Sequence, residues 1–325
     1  MIFSHSIERR TGWEGDIVVL TATGGEMEQE ARIAPKAGCK LFSYIVNGIE
    51  RLRQPRSWSD MLTLYCGIPI LFPTPNRVRD CRYEFEGRIY QHRKNNEDRF
   101  IHGLVFDEPW EAKKAKINAT SVSFSAWLEL EPWHPNYAAF PFPHKITMTF
   151  ALVPDGLSIA YKVENTGDGR LPFGFGLHPW FRVPGSRDDI IICAPATHQM
   201  ELEPKTLLPT GRCIPINKTK PDFSKPANLS HVDIDAVYFG MRPDKPAWIE
   251  YAREKLRLEL RATEDFTHLL IYSPAGQDFL CVENQTCSGD AHNLFARGFR
   301  EQAHLLILEP GQTHRGEVEM VWVKT

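Results

Sequence analysis

The sequence predicts an all-β fold, a large single-domain antiparallel β-sandwich with a few short helices. Apolar and polar residues alternate with period 2 through most of the chain, which puts successive side chains on opposite faces of a strand. Turn-forming Pro, Gly, Asn and Asp separate these runs at short intervals, as in a sandwich or barrel. Helical periodicity is confined to short pieces, and 24 Pro along 325 residues would break long helices.

The elements follow in chain order. Residues 17–22 and 40–47 are short apolar-rich runs, the second rising from a Gly38-Cys39 break. Residues 58–65 form a helical piece with Ser57 or Ser59 as N-cap. Residues 121–130 alternate through Val122, Phe124, Ala126 and Leu128, and Ile146, Met148 and Phe150 repeat the pattern. Pro154-Asp155-Gly156 then leads into Leu157, Ile159, Tyr161 and Val163. This reads as a hairpin, because Pro presets φ and Gly accepts φ > 0. Further strands are expected at 256–260, 269–272, 279–283, 303–309 and 317–323, and a short helix at 290–295. With no repeat, low-complexity tract or linker, residues 1–325 read as one domain.

Composition narrows the function classes. The 38 Lys and Arg against 41 Asp and Glu leave a net charge of −3. That balance lacks the clustered positive charge that nucleic acid or an anionic membrane requires, so a small-molecule ligand is expected. Apolar stretches such as 68–72, 190–194 and 305–308 fall far short of the roughly 18 residues a spanning helix needs. The first ten residues already turn charged, without the apolar region of a secretory signal. Seven scattered Cys without a C-x-x-C pair read as reduced, buried thiols, and a cytoplasmic location is expected. Nothing in the sequence separates a monomer from a homodimer. Phosphate loops, dinucleotide loops, zincin motifs and nucleophile elbows are absent from the sequence.

Five segments each set a polar or ionisable residue in an apolar or turn-rich context. In the first, an apolar strand runs into Pro73-Thr74-Pro75-Asn76-Arg77, placing Asn76 and Arg77 at a strand end. The Arg fork suits vicinal hydroxyls or an anion, against the plainer reading of a surface ion pair. In the second, His102-Gly103 sits in an apolar run, where Gly would let the backbone approach a ligand; a satisfied core histidine is the alternative. The third is Phe173 to Phe181, in which Pro179 favours an extended His178, glycines thin the strand, and Trp180 and Phe181 would bound a pocket, against the alternative of a purely structural segment. In the fourth, from His231 to Tyr238, Asp233 and Asp235 share one strand face, which is either a ligand face or solvent. In the fifth, Glu283 closes an apolar strand, where partial desolvation raises a carboxyl towards the range of a general base. The alternative there is a strand-end ion pair.

Taken together and in this order, the segments resemble the aldose 1-epimerase (galactose mutarotase-like) family, over nearly the whole chain. That resemblance implies a galactose mutarotase-like supersandwich that interconverts the α and β anomers of a hexose, with no metal or organic cofactor. It implies Glu283 as catalytic base, in Cys281-Val282-Glu283 with Gln285 in pattern, and His178 as the acid in imidazolium form. Asn76, Arg77, His102 and Asp235 would bind the sugar, Asp235 fitting the Asp-x-x-aromatic pattern better than Asp233. Trp180, Phe181 or Trp133 would stack on its C–H face. The His178-Pro-Trp-Phe form resembles the less characterised HPYF-type branch, which leaves the sugar open. A hexose-6-phosphate 1-epimerase would need converging cations, for which Arg77, Arg79 and Arg82 are the nearest candidates. A catalytically silent sugar-binding or sensor protein on the same scaffold is the alternative from another class.

Overall fold

The computed structural model describes residues 1–230 and 232–325. Three sheets carry the architecture. A ten-stranded sheet is built around Val122–Leu130, His144–Val153, Gly156–Asn165, Thr313–Lys324 and Leu256–Ala262, neighbours in that order. An eight-stranded sheet includes Ile234–Phe239, His268–Ser273, Phe279–Gln285, Gly176–Leu177 and Ile70–Leu71, again in spatial order. A five-stranded sheet, from Ile2–Glu8 to Ile49–Glu50, lies at the N-terminal end of the chain. These strands pair antiparallel. Among the described residues the α-helices are Trp58–Met61, Ala291–Ala296 and Arg300–Ala303, and none is long and apolar enough to cross a membrane.

The period-2 pattern explains the sandwich directly. Val122, Phe124, Ala126 and Leu128 are buried while their neighbours are half-exposed, and Ile146, Met148 and Phe150 do the same on the next strand. Phe124 lies across from Phe150, and Phe150 from Ile159, so the apolar faces stack in register. These residues join Leu269, Ile271 and Leu280 of the eight-stranded sheet in one continuous core. The seven Cys are free thiols, all buried except the half-buried Cys213, as the scattered spacing predicts.

Three local expectations change. Gly156 closes the hairpin opposite Val153 but does not sit at positive φ; a Cβ there would lie 2.1 Å from the Met320 carbonyl oxygen, so close backbone approach explains the glycine. The helix predicted to run to residue 65 ends at Met61. Ser57 caps its start, accepting from Asp60 N–H at 3.1 Å, but the carbonyls of Met61 and Thr63 are taken by the buried Lys40 ammonium. The strand expected over 303–309 shrinks to Leu306–Leu308, which pairs with Leu171–Phe173. Ala303 instead ends a helical turn that packs with Leu294 and Met200 in a satellite apolar cluster.

Candidate active site

The candidate site lies on one face of the eight-stranded sheet, and strand register builds it. Trp180, Cys281, Tyr272 and Asp235 form a row of cross-strand neighbours over four strands. Glu283 and Leu270 form the next row on the same face, two residues along. The Phe279–Gln285 strand runs two residues past Glu283, because Asn284 and Gln285 continue to pair with Leu269 and His268. Glu283 is therefore enclosed within a central strand, 1% exposed, rather than at a half-wet strand end.

His178 reaches this face from the interruption between Gly176–Leu177 and Trp180–Arg182, its N–H donating to the Pro69 carbonyl at 3.1 Å. The glycines before it permit close packing: a Cβ on Gly174 would meet Cys287 Sγ at 2.1 Å. His178 Nε2 lies 3.2 Å from Glu283 Oε1, and its ring stacks on Trp180 at 5.1 Å and 5°. The other carboxyl oxygen of Glu283 accepts from Gln285 Nε2 at 2.9 Å.

Asn76 and His102 clamp the opposite wall. His102 N–H donates to the Asn76 carbonyl at 2.9 Å, and Asn76 N–H donates to His102 Nδ1 at 3.2 Å. With Nδ1 accepting, the proton of the neutral ring sits on Nε2, which is left to donate to a guest. Asn76 and His102 both adopt positive φ, 62° and 65°. Gly103, at φ 83°, lies against the chain rather than a ligand, since a Cβ there would be 2.1 Å from the Phe72 carbonyl oxygen. Arg77 donates to Asn76 Oδ1 at 3.2 Å and to Asp235 Oδ2 at 3.3 Å.

The structure therefore gathers Asn76, Arg77, His102, His178, Asp235 and Glu283 around one hollow of about 270 Å³. Trp180 also lines it but is 4% exposed, its indole N–H held by the Leu64 carbonyl, so it serves as wall more than platform. Phe181, its strand neighbour, points the other way into the main core, and Trp133 is 71% exposed outside the hollow. Asp233 precedes the strand, is exposed and accepts from Ala275 N–H, leaving Asp235 as the acid of the site. His231 of the same segment lies outside the described residues. Arg77, Arg79 and Arg82 do not converge: Arg79 pairs with Glu203 and Asp290, and Arg82 is exposed near Asp80.

Tyr65, Tyr272, Leu270 and Arg99 also line the hollow, and sequence reading did not single them out. The signal for Leu270 and Tyr272 was their two-residue spacing, legible only once Leu270 is paired with Glu283 and Tyr272 with Asp235. Lys40 is a further unread contributor. Its grip on the Met61 and Thr63 carbonyls sets the path of the segment that delivers Leu64 and Tyr65.

Burial sets the protonation states. It raises the Glu283 carboxyl well above the usual 4.5, partly opposed by the Gln285 hydrogen bond. The same burial pushes His178 down to about 3 and holds His102 well below 6.5. Burial thus works against the imidazolium form expected of His178. It favours the neutral imidazole and the protonated carboxyl, because neither charge is solvated. Ligand-type atoms of His178, Cys281 and Glu283 also lie within 4.8 Å of one another. Burial drives the Cys281 thiol well above its usual 9.0, so ligation would have to displace a tightly held proton.

A buried carboxyl–imidazole pair thus lies in a hollow that the Arg77–Asp235 ion pair also lines. A sequence model described as aldose 1-epimerase matches residues 28–321. The chain belongs to the aldose 1-epimerase family. The uncharacterized protein YihR of Escherichia coli (strain K12) is 24% identical over 254 residues, 76% of each chain. The galactose mutarotase-like protein from Clostridium acetobutylicum superposes with TM-score 0.87 at 20% identity, covering 100% of this chain and 99% of that one. Galactose 1-epimerase from Lactobacillus acidophilus superposes with TM-score 0.77 at 16% identity over 99% of both chains. At such identities these structures establish the shared galactose mutarotase-like fold, while the family assignment rests on the sequence match.

Proposed function

We propose that this aldose 1-epimerase family member is a mutarotase that interconverts the α and β anomers of a hexose by acid–base-catalysed ring opening. The carrying observation is the 3.2 Å approach of His178 Nε2 to Glu283 Oε1 on the floor of the hollow. Opening a hemiacetal requires one group to take the O1 proton and another to protonate O5 as C1–O5 breaks. Rotation about C1–C2 in the open aldehyde and reclosure with the roles reversed yield the other anomer.

The pair holds a single proton, and moving it across that contact converts acid–imidazole into carboxylate–imidazolium without uptake from water. Sugar hydroxyls entering the hollow would add hydrogen-bond partners for both members of the pair, favouring the charged arrangement. In that arrangement Glu283 takes the O1 proton and the His178 imidazolium gives one to O5. Each positioned group contributes roughly 10²–10⁴-fold. His102 donates from Nε2 to a sugar oxygen, while Arg77, Asn76 and Asp235 bind hydroxyls.

The test is polarimetry on freshly dissolved α-D-glucose, α-D-galactose and α-D-glucose-6-phosphate. Acceleration that disappears in Glu283→Gln, with sugar binding retained, is the expected result. Acceleration that persists in Glu283→Gln would remove this residue from the base role. Sugar binding without acceleration for any substrate would favour the silent binder.

A further inference from the structure

We propose that Asp290 is a positioning residue for the sugar-binding Arg77, acting on the backbone of residues 77–79 rather than on the sugar; this rests on the mutarotase reading above. The Arg77–Val78 strand is two residues long and pairs with the equally short Phe100–Ile101. Asn76 before it and Asp80 shortly after it adopt positive φ, 62° and 51°. So short an extended piece between two left-handed residues has little local means of holding a direction. Asp290 supplies that hold. Its N–H donates to the Arg77 carbonyl at 2.9 Å and its Oδ1 accepts from the Arg79 N–H at 3.0 Å, so one residue grips the chain on both sides of Val78. From the backbone so fixed, the Arg77 guanidinium reaches Asn76 Oδ1 and Asp235 Oδ2.

The carboxyl does not cap its own helix. Asp290 stands at the N-cap of Ala291–Ala296, where Asp ordinarily accepts from the first-turn N–H groups, but its side chain makes no such bond. It turns instead to the Arg79 N–H and to Asn293 Nδ2, the latter at 2.6 Å, and Asn293 Nδ2 also donates to the Arg82 carbonyl at 2.9 Å. The carboxyl is buried, and the Arg79 guanidinium Nε lies 3.7 Å from its other oxygen. Burying a carboxyl is costly, and the backbone bond this one makes goes to the segment of Arg77. Gly289 brings the same stretch of chain against Asn76, since a Cβ there would lie 3.2 Å from the Asn76 Cβ. This stretch follows directly from the Phe279–Gln285 strand, so Asn76 and Arg77 are tied to the piece of chain that carries Glu283.

Asp290→Gly and Asp290→Asn test the inference, because both residues accept the left-handed φ of 54° while only Asn keeps an oxygen for the Arg79 N–H. The readouts are calorimetric binding and polarimetry with glucose and galactose, and the Nε–Hε resonance of Arg77, assigned by its loss in Arg77→Ala. Asp290→Gly should weaken binding and raise KM about tenfold with kcat within about threefold, and should move the Arg77 resonance. Asp290→Asn should keep all of these within about threefold of the parent and leave the resonance in place. The double variant Asp290→Gly/Arg77→Ala should bind no worse than Arg77→Ala alone, because the two act through one contact. If Asp290→Gly does not fold, Asn293→Ala, which removes the donor that orients the carboxyl, carries the same expectations. A lower Tm with KM, binding and the Arg77 resonance unchanged would overturn the inference, and so would a double variant that binds worse than Arg77→Ala. If the resonance moves as expected but no sugar is turned over, the positioning role stands and the mutarotase reading fails.

Discussion

Two groups of buried histidines in this protein have similar burial and different surroundings. His92 stacks face to face on Phe100 at 3.9 Å and on Tyr83 at 4.9 Å, and His292 packs tilted against Tyr83 at 4.7 Å. His102 and His178 meet edge to face at 5.0 Å and line the hollow that holds Glu283. Burial depresses all four, His92 and His178 alike to about 3. A depressed histidine therefore marks burial, and what distinguishes the site is a carboxyl within reach, a fixed tautomer and room for a guest.

The largest effect that sharpens this contrast is on turnover. Glu283→Gln and His178→Asn should each lower mutarotation about 10²–10⁴-fold. The double variant should be little worse than the poorer single one, because the pair acts as a unit. Fully additive losses in polarimetry would show two independent groups instead.

Acid stability treats both groups alike. His92, His102, His144, His178, His268 and His292 all have folded values below 6.5, from burial first. Below 6.5 the unfolded chain binds protons that the folded chain refuses, so stability is complete above that pH and falls as pH drops towards 3 or 4. Each such histidine should contribute a loss of about 1.4 kcal/mol per pH unit in that window. The buried Glu283 and Asp107 carboxyls, raised when folded, slope the opposite way. Denaturant melts at successive pH values are therefore compared between the protein and single His→Phe variants, and a variant with the parent's slope would show that its ring titrates normally. Activity, corrected for folded fraction, should instead stay level through pH 6.5. An acid limb centred there would mean that His178 is not held neutral.

Asp235→Asn should raise KM about tenfold, the cost of one charge-assisted contact, with kcat changed by less. A comparable fall in kcat would place Asp235 in the chemistry. The smallest effect belongs to the other histidine group. Neither ring nitrogen of His92 has a hydrogen-bond partner among the described residues, so His92→Phe should leave mutarotation unchanged and stability within about 1.5 kcal/mol. Lost activity in that variant, at unchanged Tm, would break the distinction between the two groups.

Much of the ten-stranded sheet was legible because its hairpins are long and alternate strictly, as in His144–Val153 and Gly156–Asn165. Strands such as Gln29–Ala34, His198–Leu202 and Ala247–Tyr251 were not read, being short and without a strong period-2 signal. The residue types of the site were legible as well: Asn76-Arg77, His102, His178, Asp235 and Glu283 stand out where polar chemistry interrupts apolar or turn-rich sequence.

By itself, then, the sequence determined the strand-rich class, most of the long strands and the chemical groups available. Only the tertiary structure decided which acid of the 233–235 pair faces the hollow, which way Trp180 and Phe181 point, and that Tyr65 and Tyr272 join the site. It also decided that burial favours the uncharged forms of Glu283 and His178. Those outcomes depend on pairing register, on loops tethered by Lys40 and on the loss of solvent around a charge. All three are set by residues distant in sequence, and a local pattern carries no record of them.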